Sequence, residues 1–173
     1  ILKKDKGDQK HVVAIGDFVI IDERGQVAFV EERYSELARR DNLRRRKAHV
    51  IAANIDQVLI TTSVHEPDIK PSLIDRYIIS AKRGNMQPVL IINKIDLIDN
   101  KKEVKEIIKI YEELGIDVYG VCALKKKGLK QVQKAMQGKA SVFSGQSGVG
   151  KTTLINYLCG TDFKTGEVVE RTQ

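Results

Sequence analysis

The apolar run Ala140-Ser141-Val142-Phe143 leads directly into Gly145-Gln146-Ser147-Gly148-Val149-Gly150-Lys151-Thr152, and Leu154, Ile155 and Leu158 follow at helical spacing. A strand, a GxxxxGK-Thr loop and a helix in that order constrain the fold more than any other feature of the chain. The glycines allow positive φ and close backbone approach, so that exposed amides and the helix N-terminus converge on phosphate oxygens. Lys151 is expected to reach the β and γ phosphates as the catalytic cation, and the Thr152 hydroxyl to ligate Mg²⁺, with Thr153 next to it in the first helical turn.

The rest of the chain supplies a sheet for this loop. From residue 55 onward strand and helix patterns alternate, which in one domain means parallel strands with helical crossovers. Val58 to Thr62 suits a strand buried on both faces. Pro71 suits a first helical turn, with Ile74, Tyr77, Ile78 and Ala81 on one face and Gly84 as a stop. Pro88 to Ile92 is the next strand. Asp99 or Asn100 is placed to cap a helix whose apolar stripe is Val104, Ile107, Ile108, Tyr111 and Leu114, closed by Gly115. Ile116 to Val121 is strand again, and Leu129, Val132 and Met136 mark a short helix. Four such units predict a doubly wound α/β domain.

Before residue 55 the runs are β-rich. Asp17 to Ile21 and Val27 to Val30 flank a turn signal at Glu23-Arg24-Gly25 and read as a hairpin, and Ala48 to Ala52 reads as a further strand. An OB-type barrel needs five strands, and about three are visible. The expected organisation is therefore an N-terminally incomplete OB-like RNA-binding domain over residues 1–54 and an α/β domain over 55–173.

Two further loops carry chemistry. Asn93-Lys94-Ile95-Asp96 stands at the C-terminal end of the Pro88 to Ile92 strand, where open α/β sheets bind ligands. The Asp96 carboxylate can accept from guanine N1–H and the 2-amino group, a donor pair that adenine lacks, and the site would read guanine. Asn93 can brace the phosphate loop or the base, and the Lys94 stem can cover the purine face. At the end of the next strand, Cys122-Ala123-Leu124 resembles the base-contacting SAK or SAL loop of GTPases with Cys122 in place of Ser, and the Ala123 amide is expected to donate to guanine O6. Ordinary GTPases place the phosphate loop first. Here it comes last, so the domain is circularly permuted, a rearrangement that leaves spatial convergence intact.

Charge distribution points to a polyanion. The 30 Lys and Arg outnumber 23 Asp and Glu, for a net charge of +7, and the excess is local. It resides in Arg33 to Lys47 and in Lys125 to Lys139, which holds six lysines and no acid. Arg39, Arg40, Arg44, Arg45, Arg46 and Lys47 are the expected RNA contacts, in the region where OB folds bind oligonucleotides, and Tyr34 is expected to stack on a base. Binding should weaken with salt. His11, His49 and His65 show no partner pattern and read as structural or solvated. Cys122 and Cys159 form neither a disulfide framework nor a zinc site. No apolar run approaches the roughly 20 residues of a membrane span, so the expectation is a soluble cytoplasmic monomer with no membrane partner. The missing initiator Met suggests a trimmed or internal start.

Taken together, Gly16-Asp17-Phe18-Val19, Ala53 to Val58, Asp75-Arg76-Tyr77, Asn93 to Leu97 and Gly145 to Asn156 resemble the ribosome small subunit-dependent GTPase A family of circularly permuted GTPases with an N-terminal OB fold. The resemblance implies GTP and GDP binding with Mg²⁺, hydrolysis stimulated by the ribosome, and attachment to the small (30S) subunit and its rRNA late in maturation. It also implies a zinc-binding domain C-terminal to these residues. Family members continue past Thr165-Gly166-Glu167-Val168 into a threonine-bearing switch I and a DxxG switch II, neither of which is present before Gln173. The expectation is a portion of a longer protein that binds nucleotide weakly and turns over poorly alone. Other readings of the same residues are a nonhydrolysing GTP-gated RNA-binding module and a P-loop ATPase or kinase.

Overall fold

A computed structural model describes residues 13–40, 48–98 and 101–164. The expected alternation is present, beginning with the strand β5 (Gln57–Ser63) after four shorter ones, β1 (Val19–Ile21), β2 (Val27–Val30), β3 (Glu36–Arg40) and β4 (Ala48–Ala53). It continues through α1 (Pro71–Arg83), β6 (Gln87–Asn93), α2 (Lys101–Glu113), β7 (Asp117–Gly120), α3 (Leu129–Met136), β8 (Ser141–Ser144) and α4 (Lys151–Cys159). The four long-range strands form one parallel sheet in the order β7-β6-β5-β8.

Side-chain alternation along the central strands builds two apolar layers. Val58, Ile60, Leu90 and Ile92 face α1 and α2, joining Ile74, Ile78, Val104 and Tyr111. Leu59, Val89 and Ile91 face the opposite way, onto Leu129, Val132 and Leu154 of α3 and α4. Full burial of each such side chain contributes about 1.5–3 kcal/mol. Because the chain steps from β5 to β7 in one direction and then returns to place β8 on the other side of β5, the order reverses beside β8, and a crevice opens at the C-terminal strand ends. The Tyr111 hydroxyl donates to Asp75 at 2.9 Å and ties α2 to α1. Leu114 does not complete the α2 stripe: the helix ends at Glu113, and Leu114 is 61% exposed while Ile116 takes the buried place. Asp99 and Asn100 lie outside the described residues.

The N-terminal strands form two antiparallel ladders, β1-β2 and β3-β4, and Ile15, which precedes β1, makes a parallel bridge to Ala52 of β4. In the first, Asp22 closes the turn by accepting from the amides of Arg24 and Gln26, both at 2.9 Å. Sequence patterning found three of these four strands and missed β3, whose Arg39 and Arg40 pair with His49 and Ala48. Arg44, Arg45, Arg46 and Lys47 lie outside the described residues, as does His11. Asn54 ties the N-terminal segments together, its side-chain amide donating to the Gly16 carbonyl at 2.9 Å and its Oδ1 accepting from the Tyr34 amide at 3.1 Å. The Glu36 amide on the Gly84 carbonyl at 3.0 Å and the Asn85 side-chain amide on the Tyr34 carbonyl at 2.9 Å link them to the end of α1. Tyr34 also donates its hydroxyl to the Asn54 carbonyl at 2.6 Å, which anchors the phenol end and leaves the ring half-exposed.

Asp17 explains why a carboxylate follows Gly16. It accepts from Arg33 Nε at 2.6 Å, Arg33 Nη2 at 2.8 Å and the Ala14 amide at 2.7 Å, and its side chain is 0% exposed. The Arg33 hydrogen bond holds its pKa below the ordinary 3.8. A depressed carboxylate stabilises the fold above the unfolded-state value and loses that contribution as pH falls through the folded one. Asp17→Ala should therefore cost about 2 kcal/mol near neutral pH by removing the buried carboxylate from Arg33, which keeps its 3.0 Å contact to the more exposed Glu36. In urea melts the gap from the unsubstituted chain should narrow below about pH 4, and a gap that is the same at both pH values would contradict the assignment.

Candidate nucleotide site

Three loops converge at the C-terminal ends of β6, β7 and β8. The first turns sharply: after Asn93, Lys94 adopts the left-handed conformation at φ 58° and Ile95–Leu97 form a single 3₁₀ turn that presents Asp96. The second, leaving β7, is closed by paired backbone hydrogen bonds between Cys122 and Lys127, both 3.0 Å. The third runs from Ser144 to the start of α4, which carries no side-chain cap at its N-terminus. Its first-turn amides thus have no competing side-chain acceptor, as an anion site requires.

Asn93 is the strut that holds these loops together. It is buried, its Nδ2 donates to the Val149 carbonyl at 2.9 Å, and its Oδ1 accepts from the Ala123 amide at 3.1 Å. Of the two roles open to Asn93 from sequence, the geometry selects bracing of the phosphate loop. The Ala123 N–H, expected to donate to guanine O6, donates here to Asn93 Oδ1 and fixes the loop. A methyl on Gly150, at φ 90°, would lie 2.4 Å from Asn93 Nδ2, and one on Gly145 would lie 2.1 Å from the Thr61 carbonyl oxygen. Both positions require glycine because the loop passes hard against β5 and β6.

Twelve of the expected nucleotide-site residues line one cleft of about 460 Å³, within the usual range for small-ligand sites. The loops after β6 and β7 contribute Lys94, Asp96, Cys122, Ala123 and Leu124, the loop from β8 into α4 contributes Ser147, Gly148, Gly150, Lys151, Thr152 and Thr153, and Asn93 is hydrogen-bonded to the β7 loop and to the β8 loop. Ile95, Gly145, Gln146 and Val149 do not line it. Ile95 packs against the α1/α2 layer and Val149 is fully buried, while Gly145 and Gln146 contribute carbonyls to Lys151 at 2.9 and 2.6 Å. Sequence reasoning missed Glu66 and Leu97, which also line the cleft. Glu66 follows β5, and the placement of ligands beyond strand C-termini could have found it; its carbonyl accepts from Lys94 Nζ.

The electrostatics differ from loop to loop. The Cys122 thiol and then the Lys125 ammonium, 3.2 Å away, hold Asp96 below the ordinary carboxylate range. Burial and the hydrogen bond to Asp96 push the Cys122 thiol up, which keeps it a neutral donor. Burial lowers the pKa of Lys151, the response of a cation with a reduced water shell and no carboxylate beside it. A cleft lined by an ionised carboxylate from one loop and a partly desolvated cation from another has the charge layout that suits a purine nucleoside polyphosphate. His65 pairs with Asp68 at 2.8 Å and is not part of the cleft.

Residues 30–173 match the family model described as RsgA GTPase. The chain belongs to the RsgA GTPase family. It is 36% identical over 187 residues to the small ribosomal subunit biogenesis GTPase RsgA of Chlorobaculum parvum, covering 96% of this chain and 60% of that protein. It is 40% identical over 143 residues to the protein of the same description from Ectopseudomonas mendocina, covering 81% and 41%. Among solved structures, YjeQ from Thermotoga maritima superposes with a TM-score of 0.71 at 28% identity, over 91% of this chain and 55% of that one. YloQ, described as a circularly permuted GTPase, superposes with a TM-score of 0.64 at 29% identity, over 86% and 51%. The fold class is thus a permuted P-loop GTPase sheet preceded by a partial OB-type barrel. This RsgA-family chain spans about 60% of the length of the Chlorobaculum relative.

Proposed function

We propose that the protein to which this chain belongs binds GTP in the cleft between Asp96 and Lys151, hydrolyses it, and does so on the small ribosomal subunit late in its maturation. The observation that carries the reading is the double hydrogen bond of Asn93, which fixes the Cys122-Ala123 loop and the phosphate loop to one residue of β6. Asp96 would accept from the guanine edge, and Lys151 and the amides of Gly148 to Thr152 would hold the phosphates. Thr152 would offer its hydroxyl to Mg²⁺, which when bound neutralises phosphate charge. The remaining contribution of these residues is positioning and electrostatic stabilisation.

In this reading residues 1–54 are the OB-type RNA-binding unit and 55–173 the GTPase unit, with Arg39, Arg40, Arg44, Arg45, Arg46 and Lys47 on rRNA phosphates. The names of the Chlorobaculum and Ectopseudomonas relatives support the small-subunit partner and GTP as substrate. Among the described residues no helix is long and apolar enough to cross a membrane; a cytoplasmic location is part of the proposal and rests on the relatives' names.

The test is nucleotide competition together with hydrolysis. GTP should displace a fluorescent GDP analogue from the chain at least a hundredfold more effectively than ATP, and intact protein should turn over GTP faster when small subunits are added. Equal displacement by ATP would favour the ATPase or kinase reading, and binding without hydrolysis on subunits the GTP-gated module. Subunit affinity should fall with salt and fall again when Arg44, Arg45 and Arg46 are neutralised.

A further inference from the structure

The lysine-rich window from Lys125 to Lys139 plays no part in the nucleotide cleft beyond Lys125. Lys126, Lys127, Lys130 and Lys134 are all exposed, on the approach to α3 and on α3 itself. Among the described residues none of the four has a carboxylate within ion-pair distance. Lys130 and Lys134, one helical turn apart, repel each other without compensation. Such a concentration of unpaired positive charge suits a polyanion.

The neighbouring helix gives the partner a shape. Lys126 Nζ lies 5.2 Å from the centre of the Tyr157 ring on α4, and that ring is 39% exposed. An open groove of about 500 Å³ between α3 and α4 is lined by Gln133, Lys134, Met136, Gln137 and Leu158, so Lys134 belongs both to the lysine face and to the groove. Met136 and Leu158 offer an apolar floor and the two glutamines amide donors and acceptors. A duplex stacks its base faces and pairs its Watson–Crick edges, whereas a single strand presents both along with its phosphates.

We propose that the face formed by Lys126, Lys130, Lys134 and Tyr157 is a second RNA-binding surface, specific for single-stranded RNA: the lysines contact phosphates, Tyr157 stacks on a base, and the groove takes a neighbouring base. It is separate from the Arg39 to Lys47 strip and goes beyond the role proposed for it.

The full chain is titrated by fluorescence anisotropy, without nucleotide, into a labelled single-stranded RNA of about 16 nucleotides between about 50 and about 200 mM salt. The triple variant Lys126→Glu/Lys130→Glu/Lys134→Glu should weaken binding at least tenfold and reduce the slope of log affinity against log salt by about 2, since each lost phosphate contact on a single strand removes about 0.7. Tyr157→Ala should weaken binding roughly fivefold or more with the slope unchanged. Thermal melting reports whether each variant folds, and Lys130→Gln/Lys134→Gln, with an expected slope change of about 1.4, stands in if the triple variant does not. Wild-type affinity and slope in the lysine variants would overturn the proposal, even where neutralising Arg44, Arg45 and Arg46 abolishes RNA binding and so upholds the first strip. Tighter binding of the wild type to duplex RNA would also overturn it, as would lysine variants that lose only their binding to phosphatidylserine vesicles.

Discussion

Asp96→Asn is expected to weaken GTP binding by about a thousandfold or more while leaving ATP binding unchanged. The carboxylate lines the cleft from a loop different from that of Lys151, on a 3₁₀ turn held by the left-handed Lys94. Its hydrogen bond from the Cys122 thiol and its ion pair with Lys125 keep it ionised well below neutral pH. An ionised carboxylate only accepts, so it matches the two donors on the guanine edge; an asparagine turns one of its positions into a donor facing another donor. Leaving such a pair unmade inside a cleft costs more than a lost apolar contact of the same size. Xanthine carries a carbonyl where guanine carries the amino group, so xanthosine triphosphate should regain affinity in the variant and bind better than GTP. Calorimetric titration of the three nucleotides checks this. Equal loss for GTP and ATP would remove Asp96 from base recognition and place its role in holding the Cys122 loop. Because the folded pKa is lowered, GTP affinity should be flat from about pH 5 to 8 and decline only in acid.

The parts of the site legible in the sequence are those whose geometry is set within a few residues. The phosphate loop needs glycine where backbone passes against Thr61 and Asn93, and that need is written as a short motif. The same holds for α1, which Pro71 opens and Gly84 follows. Features settled by distant partners were less visible. Glu36-Leu37-Ala38-Arg39-Arg40 is composed of good helix formers, and it is strand because β4 supplies its ladder. The Ala123 amide looked available for a ligand because nothing local reveals that a side chain 30 residues away engages it. Glu66 reached the cleft through the path of the loop after β5, with no motif of its own. Leu114 continued an apolar spacing that the helix itself did not continue.

Lys151→Ala is expected to reduce single-turnover GTP hydrolysis by intact protein on small subunits by about 10²- to 10³-fold. In the structure its ammonium bridges the Gly145 and Gln146 carbonyls across the mouth of the loop, and burial has already removed part of its water shell. Part of the desolvation cost is thus met within the fold, before any phosphate arrives, and in the proposed complex the cation stands where negative charge accumulates during transfer. Truncation removes that charge and also frees two loop carbonyls that would then face the phosphates. Affinity for the triphosphate should fall more than for the diphosphate, since Lys151 is assigned to the β and γ phosphates. Lys151→Arg should restore little, because a planar guanidinium cannot occupy the position of a compact ammonium between two carbonyls 2.6 and 2.9 Å away. Measuring rate and affinity separately decides the matter: a loss confined to binding at unchanged rate would assign Lys151 to ground-state attachment alone, and hydrolysis within tenfold of the unsubstituted protein would mean that the charge is supplied by another residue.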